Sequence, residues 1–149
     1  MSANSSKSEP ARVGSIAMED YLEQIAELID AKGYARVVDI AERLSISQAS
    51  VTNMVKKLSA EGLVNYERYR GMTLTERGNE VATYIRRRHE LLTSFLELFG
   101  IDDSTIYDDV EGMEHHISGP TLKVFEALSE ELRKSPKMVK RVKKKLGKM

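Results

Sequence analysis

The 149 residues include no cysteine, which excludes both a disulfide framework and thiolate-bound zinc. No apolar run approaches the roughly 18 to 20 residues that a membrane-spanning helix needs. The polar, Ser-rich opening over residues 1–14 contains no apolar signal core. Together these absences lead to the expectation of a soluble chain in a reducing cytoplasm, with no membrane partner. Acids are missing from residues 133–149, which hold 9 of the 23 Lys and Arg residues. Residues 1–132 are therefore left with 14 bases against 23 acids, a net charge of −9. Inside that part, residues 34–77 carry 7 bases and 5 acids, whereas residues 78–132 carry 4 and 12. A mildly basic module joined to a strongly acidic one suggests a polyanion on one side and cations on the other.

Hydrophobic periodicity sets the expected organisation. Residues 1–15 are aperiodic and read as a disordered arm. A helix follows over residues 16–31, with Met18, Tyr21, Leu22, Ile25, Leu28 and Ile29 inward and Asp20, Glu23, Glu27 and Asp30 on the other side, and Lys32-Gly33 stops it. Val37, Ile40, Ala41 and Leu44 mark a short helix, and Val51, Met54, Val55 and Leu58 mark a second over residues 48–61. The link Ser45-Ile46-Ser47 allows only a tight turn, with Ser47 as N-cap, so the pair reads as a helix-turn-helix. Two strand-like runs, 63–67 and 72–75, surround a turn at Arg70-Gly71 and add a wing. A longer helix over residues 76–99 has Val81, Tyr84, Ile85, Leu92, Phe95, Leu96 and Phe99 inward. Tyr84, Leu92, Phe95, Leu96 and Phe99 are more apolar surface than a small second lobe can hide, which implies a homodimer even without metal. A helix opening at Asp102 or Ser104 is expected to reach Ile117, one more covers residues 121–132, and Ser135-Pro136 opens a Lys-rich terminal helix. The fold class is mainly α: a winged helix-turn-helix over 16–75, a helical dimerisation and metal-binding domain over 76–132, and a basic helix or tail over 133–149.

Two groups of residues carry chemistry. A recognition helix needs small or polar residues near its N-terminus for base edges and cations further along for phosphates. Ser47, Gln48, Ser50, Thr52 and Asn53 supply the first, and Lys56 and Lys57 the second. Arg68 and Arg70 stand at the wing tip, within reach of backbone or minor groove. Double-stranded DNA is the expected partner. In Asp109-Val110-Glu111-Gly112-Met113-Glu114-His115-His116, helical spacing turns Glu111, Glu114 and His115 to one side, while His116 points about 100° away. A row of acids is by default a solvated face, and a lone His89 on an apolar stripe is by default a core residue.

Four motifs, in order along the chain, resemble the diphtheria-toxin-repressor family, in particular its manganese transport regulators. They are Met18-Glu19-Asp20-Tyr21-Leu22-Glu23-Gln24-Ile25, the wing Tyr69-Arg70-Gly71-Met72-Thr73-Leu74-Thr75, Arg88-His89-Glu90-Leu91-Leu92, and Val110-Glu111-Gly112-Met113-Glu114-His115-His116. The resemblance covers about residues 16–130 and implies metal ligands at Asp20, Glu23, His89, Glu111, Glu114 and His115. It implies Mn²⁺, two ions per subunit, at a site linking the two domains. It also implies a homodimeric repressor of manganese-uptake genes that binds operator DNA when metal-loaded, with no organic cofactor and no enzymatic activity. Iron-responsive relatives carry Met at the position of Asp20 and Cys at that of Glu111; oxygen-rich, thiolate-free donors suit Mn²⁺ better than softer ions. The alternatives are an iron-responsive repressor of the same family, a di-metal carboxylate enzyme, and a winged-helix regulator of an organic ligand.

Overall fold

In the computed structural model, residues 14–147 are described. The expected arm lies outside them except for Gly14 and Ser15. The latter is the N-cap of α1 (Ile16–Lys32), its Oγ accepting a 3.2 Å hydrogen bond from the Met18 N–H. Gly33, at φ +84°, ends the helix and donates its N–H to the Ile29 carbonyl at 2.7 Å, a left-handed stop that suits glycine. Helix α2 (Val37–Leu44) and helix α3 (Gln48–Ala60) meet at a turn in which Ser45 takes a positive φ and Ser47 caps α3 through the Ser50 N–H.

Strands β1 (Val64–Glu67) and β2 (Gly71–Leu74) form an antiparallel hairpin in the register Val64 to Leu74 and Glu67 to Gly71. Ala35 pins the hairpin: its N–H donates to the Met72 carbonyl, and its carbonyl accepts from the Met72 N–H at 2.7 Å. That approach requires a glycine next door, since a Cβ on Gly71 would stand 2.7 Å from the Ala35 oxygen and φ is +97° there. Gly78, early in α4 (Glu76–Glu97), is equally constrained, because a Cβ would fall 1.9 Å from the Leu63 oxygen.

The chain divides into two compact units between Ile85 and Arg86, within α4. The first is built on Met18, Leu22 and Ile25 of α1, Ile40 of α2, Val51, Val55 and Leu58 of α3, Leu63, Val64 and Met72 of the hairpin, and Val81, Ala82 and Ile85 of α4. Each large side chain buried there contributes about 1.5–3 kcal/mol. The opening turns of α4 thus complete the core of the first unit.

The second unit holds the rest of α4, α5 (Asp103–Met113), a 3₁₀ turn (Glu114–His116), α6 (Gly119–Lys134) and α7 (Pro136–Leu146). Leu92, Ile106, Val110, Leu122 and Leu132 are buried in it. Asp102 caps α5 through the Thr105 N–H; hydrogen bonds from Ser104 and Thr105 lower its pKa to about 2.

The mainly helical architecture with a small two-stranded wing agrees with the sequence pattern, and the differences are local. The helix expected to reach Ile117 stops at Met113 and tightens to a 3₁₀ turn. Helix α6 opens two residues early, with Pro120 in its first turn, where a missing N–H costs nothing. The stripe Phe95, Leu96, Phe99 is half-buried within its own unit, because Phe95 packs edge-on against Phe99 and Phe125 at centroid distances of 5.4 and 5.1 Å. On α6, by contrast, Val124 and Leu128 are exposed, as are Tyr107 of α5 and Met138 and Leu146 of α7.

Candidate metal centre and nucleic-acid interface

α4, α5 and the 3₁₀ turn bring His89, Glu111 and Glu114 together, with a donor atom of each lying within 4.8 Å of the other two. The α5 spacing places Glu111 and Glu114 on one side of the chain, and the 3₁₀ turn then draws Glu114 fully inside. His89 Nδ1 stands 2.8 Å from Glu114 Oε2 and 3.8 Å from Glu111 Oε1. Glu114 Oε1 is buried and has no hydrogen-bond partner among the described residues; His115 Nε2 lies 3.6 Å away. A buried, unsatisfied polar atom costs on the order of 1–3 kcal/mol, and more when charged. A divalent cation held by these oxygens and imidazoles would remove that cost, so the donor set fits a hard metal ion.

Of the six expected ligands, His89, Glu111, Glu114 and His115 belong to the second unit. Asp20 and Glu23 belong to the first, three residues apart and half-buried on α1. His116 is exposed. The residue that sequence reasoning left without a role is Arg88, 3% exposed, whose Nη2 lies 3.4 Å from His115 Nδ1. Its position was legible: it falls three after Ile85 and four before Leu92, on the inner stripe of α4.

On α3, Gln48, Ser50, Asn53, Lys56 and Lys57 are exposed and Thr52 is half-buried. Ser47 is occupied as a cap and donates its hydroxyl to Ser50 Oγ at 2.9 Å, so Gln48 and Asn53 are the freer polar groups for base edges. At the wing tip, Arg68 stacks over the exposed Tyr69 ring at 5.1 Å, and Arg70 lies 3.6 Å from Glu67.

Residues 15–72 match the family model described as iron dependent repressor, N-terminal DNA binding domain, and residues 75–147 match iron dependent repressor, metal binding and dimerisation domain. The chain therefore belongs to the iron-dependent-repressor family, with its DNA-binding domain ahead of a metal-binding and dimerisation domain. It is 48% identical over 126 residues to the HTH-type transcriptional regulator MntR of Lysinibacillus sphaericus, covering 85% of this chain and 91% of that one. It is 56% identical over 102 residues to the HTH-type transcriptional regulator MntR of Shouchella clausii, covering 68% and 71%. Among solved structures, the manganese regulator SloR matches with a TM-score of 0.64 at 32% identity, over 74% of this chain and 52% of that one. No helix of the described residues is long and apolar enough to cross a membrane.

Proposed function

We propose that this protein is a manganese-dependent transcriptional repressor of manganese-uptake genes, acting in the cytoplasm as a homodimer on operator DNA. The observation that carries the reading is the convergence of His89, Glu111 and the buried Glu114 in a chain that also bears a winged helix. The ligand set we assign is Asp20, Glu23, His89, Glu111, Glu114 and His115, holding two Mn²⁺ per subunit. Residues 16–75 read DNA, and residues 76–132 dimerise and bind metal.

The residues have distinct parts in this scheme. Glu114 offers a desolvated oxygen, His89 and Glu111 close around it, and Arg88 orients the His115 ring. The four carboxylates assigned to the ligand set carry negative charge that bound Mn²⁺ would offset. The DNA-competent form is then the one with its carboxylates neutralised; metal and DNA each tighten binding of the other by the same factor. Gln48, Asn53 and their neighbours on α3 face the major groove. In a two-fold dimer they would meet half-sites about 34 Å apart. The similarity to regulators named for manganese, the absence of cysteine, and a carboxylate rather than a thioether at position 20 support Mn²⁺ over iron.

The test is fluorescence anisotropy of a promoter duplex titrated with protein at fixed free Mn²⁺, with and without chelator. Metal-dependent, chelator-reversible binding is the expected result; binding indifferent to chelator would defeat the proposal.

A further inference from the structure

We propose that α7 is a second DNA-contacting element, a phosphate-binding helix carried by the metal-binding and dimerisation domain. Helix α7 contains Lys137, Lys140, Arg141, Lys143, Lys144 and Lys145 and no acid. All six are exposed. Among the described residues none of them forms an ion pair, whereas Lys32, Arg43, Arg87 and Lys134 are matched with Asp39, Glu27, Glu126 and Glu131. Like charges three and four residues apart oppose helix formation, so the bare row is an electrostatic cost that a polyanion would offset.

The row also has a shape. Lys137, Lys140, Arg141 and Lys144 follow i, i+3, i+4, i+7 spacing and share one face, opposite Met138, Val139, Val142 and Leu146. At about 1.5 Å per residue the four cations span roughly 10 Å, close to three base-pair rises of about 3.4 Å along the duplex axis. Lys143 stands apart: its side chain lies against Gly100, just past the C-terminal end of α4, where an ammonium complements the helix dipole. Two features favour DNA over an anionic lipid surface. Val139 and Val142, in the middle of the apolar face, are half-buried in the protein, which leaves Met138 and Leu146 exposed at its two ends, and the face carries no aromatic residue. DNA is, moreover, the polyanion that the family's N-terminal domain binds. The inference rests on DNA binding by the winged helix and is independent of which metal loads the protein.

The experiment compares the full-length Mn²⁺-loaded protein with its K137Q/K140Q/R141Q/K144Q variant on a random-sequence duplex and on an operator duplex recovered by selection, over a KCl series. At about 0.9 slope units per phosphate contact, the variant's log K against log salt should be shallower by about two units or more per subunit. Its preference for operator over random DNA should stay unchanged. Replacing Lys137, Lys140 and Lys144 by Arg should keep the wild-type slope. Should the fourfold variant melt early by circular dichroism, Lys140→Gln and Lys144→Gln singly should each remove roughly one unit per subunit. An unchanged slope in a folded dimer would overturn the inference. So would loss of sedimentation with phosphatidylserine vesicles while the DNA slope stays the same, since α7 would then be a lipid-binding helix. Failure of the wild type to bind DNA at all would remove both this inference and the repressor reading, whereas an unchanged slope removes this one alone.

Discussion

His89 Nδ1 lies 2.8 Å from Glu114 Oε2, joining a partly exposed imidazole to a carboxylate with no exposure at all. The other Glu114 oxygen has no hydrogen-bond partner among the described residues. A fully buried carboxylate half satisfied by a neighbouring histidine is poorly placed as a structural element and well placed as a metal ligand.

Glu114→Gln should therefore lower Mn²⁺ affinity by more than about tenfold, since outer partners of metal ligands alone are worth 10- to 100-fold. Without metal, the variant should melt no lower than the wild type, because the amide removes a buried charge while keeping its shape. Isothermal titration with Mn²⁺ and thermal melts in chelator read the two effects. Wild-type affinity in the variant would remove Glu114 from the ligand set.

Asp20→Met exchanges a hard carboxylate for a soft thioether. Activation should broaden toward Fe²⁺ and Co²⁺ at the expense of Mn²⁺, with the DNA sequence preference unaltered. Anaerobic DNA binding at fixed free metal ranks the ions, and an unchanged ranking would show that selectivity is set elsewhere.

Gln48→Ala and Lys56→Ala should differ in kind. Both residues are exposed on α3. Loss of Gln48 should narrow the gap between operator and random DNA, whereas loss of Lys56 should weaken both alike and flatten the salt slope by roughly one unit per subunit. Equal loss of specificity in the two variants would contradict this division of the helix.

Gly71→Ala should destabilise the wing by about 1–2 kcal/mol from its left-handed φ alone, with more from the 2.7 Å approach to the Ala35 oxygen. Urea unfolding measures the loss. Anisotropy on random DNA should show weaker binding as Arg68 and Arg70 lose their support; wild-type stability would mean that Ala35 and Met72 can separate freely.

Val124 and Leu128 are 63% and 46% exposed and lie four residues apart on α6. In a dimerising domain this apolar face should meet a second copy of the chain, so Val124→Glu with Leu128→Glu should shift a micromolar sample from dimer to monomer in sedimentation velocity, with or without Mn²⁺. A dimer that survives both changes would place the interface elsewhere.

Local physics made much of this protein readable from its residues. Ser15 and Ser47 announce helix starts because a short hydroxyl can take an orphan N–H. Gly33 and Gly71 mark reversals because only glycine enters positive φ without cost. The 3.6-residue period separates the buried Leu22 and Ile25 from the acids on the other side of α1, and the same period turns Glu111 and Glu114 to one side. Periodicity cannot say how far a face is buried or what lies across from it, because both depend on partners remote in sequence. Tertiary structure alone placed His89, 25 residues before Glu114, against its oxygen, and sank that carboxylate by tightening the end of α5 into a 3₁₀ turn. It also buried Arg88 beside His115 and covered Phe95 with Phe125, leaving Val124 and Leu128 outside. Those outcomes follow from packing between elements, which a one-dimensional pattern constrains but does not specify.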